Sequence, residues 1–417
     1  MYDFIIIGGG IAGFYSGLKL IKQNKNVVIC EKYKNIGGRI DTFHENSYSW
    51  ESGAGRISSK HTLLLNLMKH YKEPLHPISP ELSYKKDGKS CIEPNLFEPT
   101  LDVFFKPLRK LDKKILGNST LKELCISIHG KVKVEEFFNR FPYRAELEVL
   151  RADLALETFK KGGEMASHKG YFVAANGLHI LIEKMQQDFV KRGGTVFTNY
   201  ECIDIKDMKS HIETDFYTGD RKLKDERLKV KLHSSKLICA MTSESLKQIS
   251  FFKHFDTLNH LRMEPLLRTY AVYDKCWFSE YSRVVTSTPI RYFLPISYKD
   301  GNSIAMVSYT DSHDTDEFNR ILKKYGEESL GRHIQNLLKE LFGPIPNYKF
   351  FKSHYWKYGA TYWLPGDYNP VEESKKSLKP FDSEVYLVGE SFSLNQAWIE
   401  GALEQCNKLF NTYRLSL

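Results

Sequence analysis

A chain of 417 residues with 41% hydrophobic and 13% aromatic side chains can bury the cores of two or three domains, which excludes a disordered polymer. Its 60 lysines and arginines against 51 acids leave a net charge of +9. The basic residues are interleaved with acids, as in "DRKLKDERLKVK", so they describe a solvated surface and no nucleic-acid face is expected.

The seven cysteines (Cys30, Cys91, Cys125, Cys202, Cys239, Cys276 and Cys406) are odd in number and form no CxxC pair. Free thiols are expected, with neither structural zinc nor any other metal. No apolar run approaches the roughly 18 residues of a membrane span, and the first strand begins too early to leave room for a signal peptide. The expectation is a cytoplasmic protein without a membrane partner.

The first element is "FIIIGGGIAGFYSGLKL". A strand-like run, Phe4–Ile7, enters Gly8-x-Gly10-x-x-Gly13 and leaves as helix-competent Phe14–Lys22. A second apolar run, Val27–Cys30, ends on Glu31. In a βαβ dinucleotide site the first glycine makes the tight turn, the second admits a pyrophosphate, and the third brings helix and strand together. The acid about 20 residues on accepts from a ribose hydroxyl. An ordinary βαβ unit would explain the turn but not the acid, so a dinucleotide is expected here.

Further on come a second glycine pair in "NIGGRIDTF" and the segment "SYSWESGAGRI". Residues 60–72 have helical amphipathic spacing (Leu63, Leu64, Leu67, Met68, Tyr71). From 73 to 165 the pattern is mostly helical, entered through Pro74, Pro77 and Pro80, and reads as an insertion or cap. "NGLHILIEKMQQDFVKRGGTVFTN" is helix then strand, with strand-like pieces at 200–206 and 228–240. Alternating strands follow at Leu267–Tyr273, Arg283–Thr286 and Ile304–Tyr309, then two helices within 314–342. The chain closes with a buried strand, Val385–Val388, the pair Gly389-Glu390, and a long helix starting near Trp398. The predicted fold is α/β with two interleaved domains. Residues 1–72, 171–245 and 351–417 form a Rossmann-type nucleotide domain, 246–350 a mixed-sheet substrate domain, and 73–170 a helical region.

Four of these motifs, in this order, resemble the flavin-dependent amine oxidases, a family that includes monoamine, polyamine and L-amino-acid oxidases. They are "IIIGGGIAG…VVICEK", "NIGGRIDTFHENSYSWESGAGRIS", "GLHILIEKM…GGTVFTNYECIDI" and "VYLVGESFS…AWIEGALEQC". The resemblance implies bound FAD. It places Gly8, Gly10, Ala12 and Gly13 at the pyrophosphate and Glu31 at the adenosine ribose. Gly38 and Arg39 would lie by the phosphates and flavin, and Ala54, Gly55 and Arg56 along the flavin edge. Cys202 would meet adenine through its backbone, and Trp356 would stand close to the ring. Gly389 and Glu390 would lie near the ribityl chain, with Trp398 and Ile399 opening the helix that faces the isoalloxazine.

Within the family, "ESGAGRISSKH" and "QAWIEGA" resemble the amino-acid oxidases. There Arg56 would pair with a substrate carboxylate, Trp398 would wall the amine, Tyr292 or Phe293 would help hold the carboxylate, and Tyr358 would contact substrate. No cysteine stands in "YGATYW", so FAD is expected to be noncovalent. The family's lysine beneath the flavin aligns with Arg268, which keeps the charge but cannot lose its proton. The implied reaction is oxidation of a Cα–N bond to an imine, then a 2-oxo acid and ammonia, with oxygen reduced to peroxide. An amine or polyamine oxidase, a flavin dehydrogenase or isomerase, and a non-catalytic flavoprotein are the alternatives.

Overall fold

A computed structural model describes residues 1–161, 170–221 and 227–415. Phe4, Ile5, Ile6 and Ile7 are all buried, as a strand covered on both faces requires. They form Tyr2–Ile7, which lies between Val27–Cys30 and Leu228–Cys239 and runs parallel to both. Thr195–Phe197 extends this layer beyond Val27–Cys30, and Val385–Leu387 pairs with the end of Leu228–Cys239. Alternate side chains serve different cores. Phe4 and Ile6 pack with the helices Ile11–Ile21, His179–Lys191 and Ile399–Tyr413, whereas Ile5 and Ile7 join the core of the helical region.

The N-terminal half of Leu228–Cys239 leaves the parallel layer and pairs antiparallel with Ile212–Thr218, which in turn pairs with Tyr200–Asp207. Ile212–Thr218 is absent from the sequence reading because three of its residues, Glu213, Asp215 and Tyr217, are polar or half-exposed. Its apolar register shows only once Ile212 and Phe216 are seen buried.

A second sheet has the order Phe350–Trp363, Leu261–Tyr273, Ser303–Asp311, Tyr292–Ser297, Arg283–Thr286, Leu82–Lys85, Glu93–Pro94. Its longest strand, Phe350–Trp363, was also unread in sequence, since Lys352, His354 and Lys357 interrupt the apolar pattern. It pairs with Leu261–Tyr273, and the chain regains the first sheet only at Val385. The helical region begins at Phe97 and runs through Ala152–Lys161, after short strands at Leu75–Pro77, Leu82–Lys85 and Glu93–Pro94; residues 162–165 of the expected helical span lie outside the described residues. Its stacked Phe97, Phe104, Phe137 and Phe141 rings make an aromatic core. The two helices expected within 314–342 are Asp316–Phe342, broken at Gly326 by a backbone of φ 82° and ψ 175°.

The glycine turn can be tested one position at a time. A Cβ on Gly13 would overlap the Gly8 carbonyl oxygen, whereas a Cβ on Gly10 would meet nothing closer than the Gly37 oxygen at 3.7 Å. Gly13→Ala should therefore destabilise the cofactor-free protein by about 1–3 kcal/mol. Gly10→Ala should leave its melting temperature unchanged yet abolish cofactor retention. Melting curves and bound cofactor per chain check both, and equal melting losses would refute the division of roles.

Candidate active site

The first turn is built to meet an anion. Gly8 takes φ +112°, a left-handed conformation that glycine alone adopts without strain. The helix Ile11–Ile21 starts at an extended Gly10 with no side-chain cap and no acid in its first turn, so no side chain of its own end accepts from its N-terminal N–H groups. Ala12 and Gly13 are buried in that turn. Glu31 is 6% exposed and held beside it, Oε2 accepting from the Gly9 N–H at 2.7 Å and Oε1 from the Tyr33 N–H at 2.9 Å. Each oxygen keeps a further lone pair for a hydroxyl. Burial raises the Glu31 pKa, opposed by these backbone hydrogen bonds and by Lys32.

The second glycine loop docks on the first. The Gly37 N–H donates to the Gly9 carbonyl at 2.8 Å, and Gly38 takes φ +62°. Arg39 then spans the site, donating from Nη1 to the Gly359 carbonyl at 3.0 Å and from Nη2 to Glu390 Oε2 at 2.8 Å. Glu390 follows Gly389 (φ +121°) and is buried, with its Oε1 accepting from the Thr361 N–H at 2.9 Å. Burial alone would raise the Glu390 pKa, but the Arg39 charge and these hydrogen bonds bring it below the usual carboxylate range. Open glycine backbone, an uncapped helix, a fixed acid and a half-buried arginine suit the pyrophosphate and ribose of FAD. Trp398 directly precedes a second helix without a side-chain cap, Ile399–Tyr413, whose Glu400 turns away to the Leu63 and Leu64 N–H groups.

The segment 51–56 is gripped from the second sheet. The Ala54 N–H donates to the Arg39 carbonyl at 2.9 Å, and Trp356 Nε1 donates to the Ser52 carbonyl at 2.8 Å. Arg268 Nη1 donates to the Glu51 carbonyl at 3.2 Å and also to the Gly53 carbonyl. A Cβ on Gly55 would crowd the Glu51 side chain. Glu51 itself is a carboxyl pushed up to about 7, first by burial, despite hydrogen bonds from the Leu178 N–H and Thr42 and the nearby Arg268 charge.

The segment delivers Arg56 into an aromatic enclosure. Its guanidinium lies 4.6 Å from the Tyr143 ring and 5.2 Å from the Trp398 ring. Tyr143 is edge-on to Tyr309 and Tyr292, and Tyr171 adjoins Trp398. Burial works against the Arg56 charge, but Tyr143, Tyr171, Tyr292 and Tyr309 raise its pKa overall. The phenols of Tyr143 and Tyr309 are pushed up by burial and stay protonated. His61, 4.9 Å from the Trp398 ring, is lowered to about 4 by burial and then by Arg56, so it is neutral. A cavity beside Trp398 is lined by Glu146, Tyr362, Gln396 and Ala397, and Glu146 Oε2 is buried there without a hydrogen-bond partner.

The model of the flavin-containing amine oxidoreductases matches residues 11–406, nearly the whole chain. This chain belongs to that family. The amine oxidoreductase aligns over 99% of its length with 93% of an uncharacterized protein of Acanthamoeba polyphaga mimivirus, at 22% identity. It aligns over 96% of its length with 92% of a putative L-amino-acid oxidase of Bacillus subtilis, at 21% identity. A double mutant of putrescine oxidase shares its fold with a TM-score of 0.78, at 14% identity, covering 99% of this chain and 98% of that one. The fold is thus the two-domain FAD-dependent amine oxidase fold, and the protein is an FAD-dependent oxidoreductase acting on amines. Among the described residues, no helix is long and apolar enough to cross a membrane.

The four motifs read in sequence converge, but not every residue singled out joins them. Tyr358 is 40% exposed under the Lys357 ammonium, because a register shift between Glu264 and Leu266 breaks the strand alternation that would have turned it inward with Trp356. Phe293 points to the opposite core, against Trp277, Phe278 and Phe342, whereas Tyr292 faces Tyr143 and accepts from Arg283 at 3.2 Å. Cys202 sits at a bulge on Tyr200–Asp207, opposite Phe216. Tyr143, Glu146, Tyr171, Tyr309, Tyr362 and Glu51 were missed. The first two lie in the helical region, where the motifs are silent.

Two outcomes follow. Because the folded Glu51 pKa lies above that of an unfolded carboxyl, its penalty is absent at low pH and grows as pH rises from about 4.5 to about 7. Glu51→Gln, which mimics the protonated form, should match the cofactor-free wild type in melting temperature near pH 4.5 and exceed it above pH 7. A constant difference across pH would refute the shift. Acid denaturation should release all flavin as FAD, since residues 358–363 hold no cysteine; flavin remaining on the precipitated chain would contradict noncovalent binding.

Proposed function

We propose that this amine oxidoreductase oxidises the Cα–N bond of an L-amino acid, with release of a 2-oxo acid, ammonia and hydrogen peroxide. The observation that carries the reading is the Arg56 guanidinium set among Tyr143, Trp398 and the neighbouring tyrosines. A planar fork in a water-poor enclosure suits a carboxylate bidentately and would fix the Cα of an amino acid. Bound FAD supplies the acceptor for the hydride leaving Cα. The glycine turn, Glu31 and Arg39 would hold it, and Trp356 and Trp398 would flank its reactive end.

The chain's own groups orient and exclude. The Arg56 charge in a water-poor enclosure favours a neutral amine over an ammonium, which lessens the need for a dedicated base. Tyr292 would hold the carboxylate alongside Arg56. Arg268 is tied to the Glu51 and Gly53 carbonyls and cannot shed its proton, so its contribution is a fixed positive charge and a firm seat for the segment ending in Arg56.

A second reading, an amine or diamine oxidase, rests on Glu146. Its unpartnered Oε2 beside Trp398 and Tyr362 would welcome an ammonium, and putrescine oxidase shares the fold. One substitution separates the two. Arg56→Met should weaken an amino-acid substrate by about 2–5 kcal/mol, or roughly thirtyfold to several-thousandfold, while sparing the matching decarboxylated amine. Anaerobic bleaching of the flavin, titrated with each substrate, reads this directly. Equal weakening of both would make Arg56 a structural residue. A wild type that prefers a diamine, with loss on Glu146→Gln, would establish the second reading.

A further inference from the structure

On the antiparallel extension of the cofactor sheet, three metal-binding side chains meet on one face. Glu213 on Ile212–Thr218 stands opposite His233 on Leu228–Cys239, and His211, two residues before Glu213, shares its face. His211 Nε2 lies 3.8 Å and His233 Nδ1 3.9 Å from Glu213 Oε1. The three ligand atoms lie within 4.8 Å of one another, and the two imidazole rings are 5.2 Å apart.

We propose that His211, Glu213 and His233 bind a divalent transition metal of the zinc class. Two imidazoles and a carboxylate form a donor set that such ions prefer. Ligand atoms about 2.0–2.1 Å from a tetrahedral ion stand roughly 3.3 Å apart, so small side-chain rotations close the observed triangle. Ser210 Oγ lies 3.0 Å from His211 Nδ1 and can accept a hydrogen bond from the Nδ1–H tautomer, leaving the Nε2 lone pair facing Glu213. Lys231 occupies Glu213 Oε2 at 2.6 Å, which leaves Oε1 as the ligand. The cluster opens into a surface concavity of about 560 Å³ that also includes Met1, Tyr2 and Leu232, with room for the water that completes the coordination.

The site would clasp two strands at one end of the sheet. His233 precedes Ser234, which pairs with Tyr2, whereas the glycine turn follows Ile7 at the far end of the same strand, roughly 16 Å away. Metal binding should therefore raise thermal stability without entering the flavin chemistry.

Flavin-loaded, chelator-treated protein titrated with zinc chloride in a calorimeter should bind one ion per chain and melt a few degrees higher. Glu213→Gln and His233→Ala should each weaken zinc by about 10–100-fold or more, with unchanged flavin content and unchanged melting in the absence of zinc. Lys231→Met should bind zinc at least as tightly as the wild type, by freeing the carboxylate. If His233→Ala does not fold, His211→Ala takes its place beside the conservative Glu213→Gln. No saturable zinc binding by the wild type, or binding that survives either ligand substitution, would overturn the proposal.

Discussion

The ion pair between Arg39 and Glu390 joins early and late segments of the chain, and the candidate active site depends on it. The partners are 351 residues apart, one in the second glycine loop and the other at the start of the C-terminal segment. A buried carboxylate is costly unless its oxygens are satisfied. Here Arg39, the Thr361 N–H and Thr361 Oγ1 all serve it, so one anion ties its own segment to two others. Arg39 also bonds the Gly359 carbonyl, which fixes the edge of the second sheet against the loop. Removing Arg39 leaves the buried Glu390 carboxylate without its counter-charge, a loss of about 3–5 kcal/mol.

With that junction set, the two sheets divide the labour. The parallel layer shapes the glycine turn and presents Glu31. The second sheet brings Trp356 and Arg268 against the carbonyls of 51–53 and so aims Arg56. Tyr292, Tyr309 and Tyr362 come from three strands of that same sheet, while Tyr143 and Glu146 come from the helical region. In so apolar a setting, charges are few and strongly felt. Burial and nearby Glu146 push the Asp311 carboxyl well above the usual carboxylate range, although the Arg144 and Ala145 N–H groups favour its ionised form.

The Leu228–Cys239 strand links the active site to the rest of the cofactor sheet. Its C-terminal half lies beside the first strand and places Ala240 against the Gly8 turn, where a Cβ on Gly8 would overlap the Ala240 oxygen. Its N-terminal half carries His233 and the hairpin to Ile212–Thr218. Packing at the turn and register at the hairpin are therefore properties of one continuous strand.

The glycine turn and the acid beside it were legible in the sequence because their determinants are local. Gly8, Gly10, Gly13 and Glu31 have spacings imposed by one strand, one turn and one helix, and Gly389-Glu390 marks a second such unit. The substrate half was not legible. Tyr143 sits in the loop before the short helix Ala145–Glu148 that carries Glu146, in a region whose sequence signals only a core, and the bulge that expels Tyr358 leaves no local mark. The facing of Tyr292 and Phe293 to opposite cores follows strand alternation, but which core receives substrate depends on the loop that carries Arg56. The pairing of Glu213 with His233 is likewise a matter of register between strands. Sequence determines what short-range backbone geometry demands, and tertiary structure alone decides which distant side chains share a low-dielectric space, because that depends on how whole sheets pack.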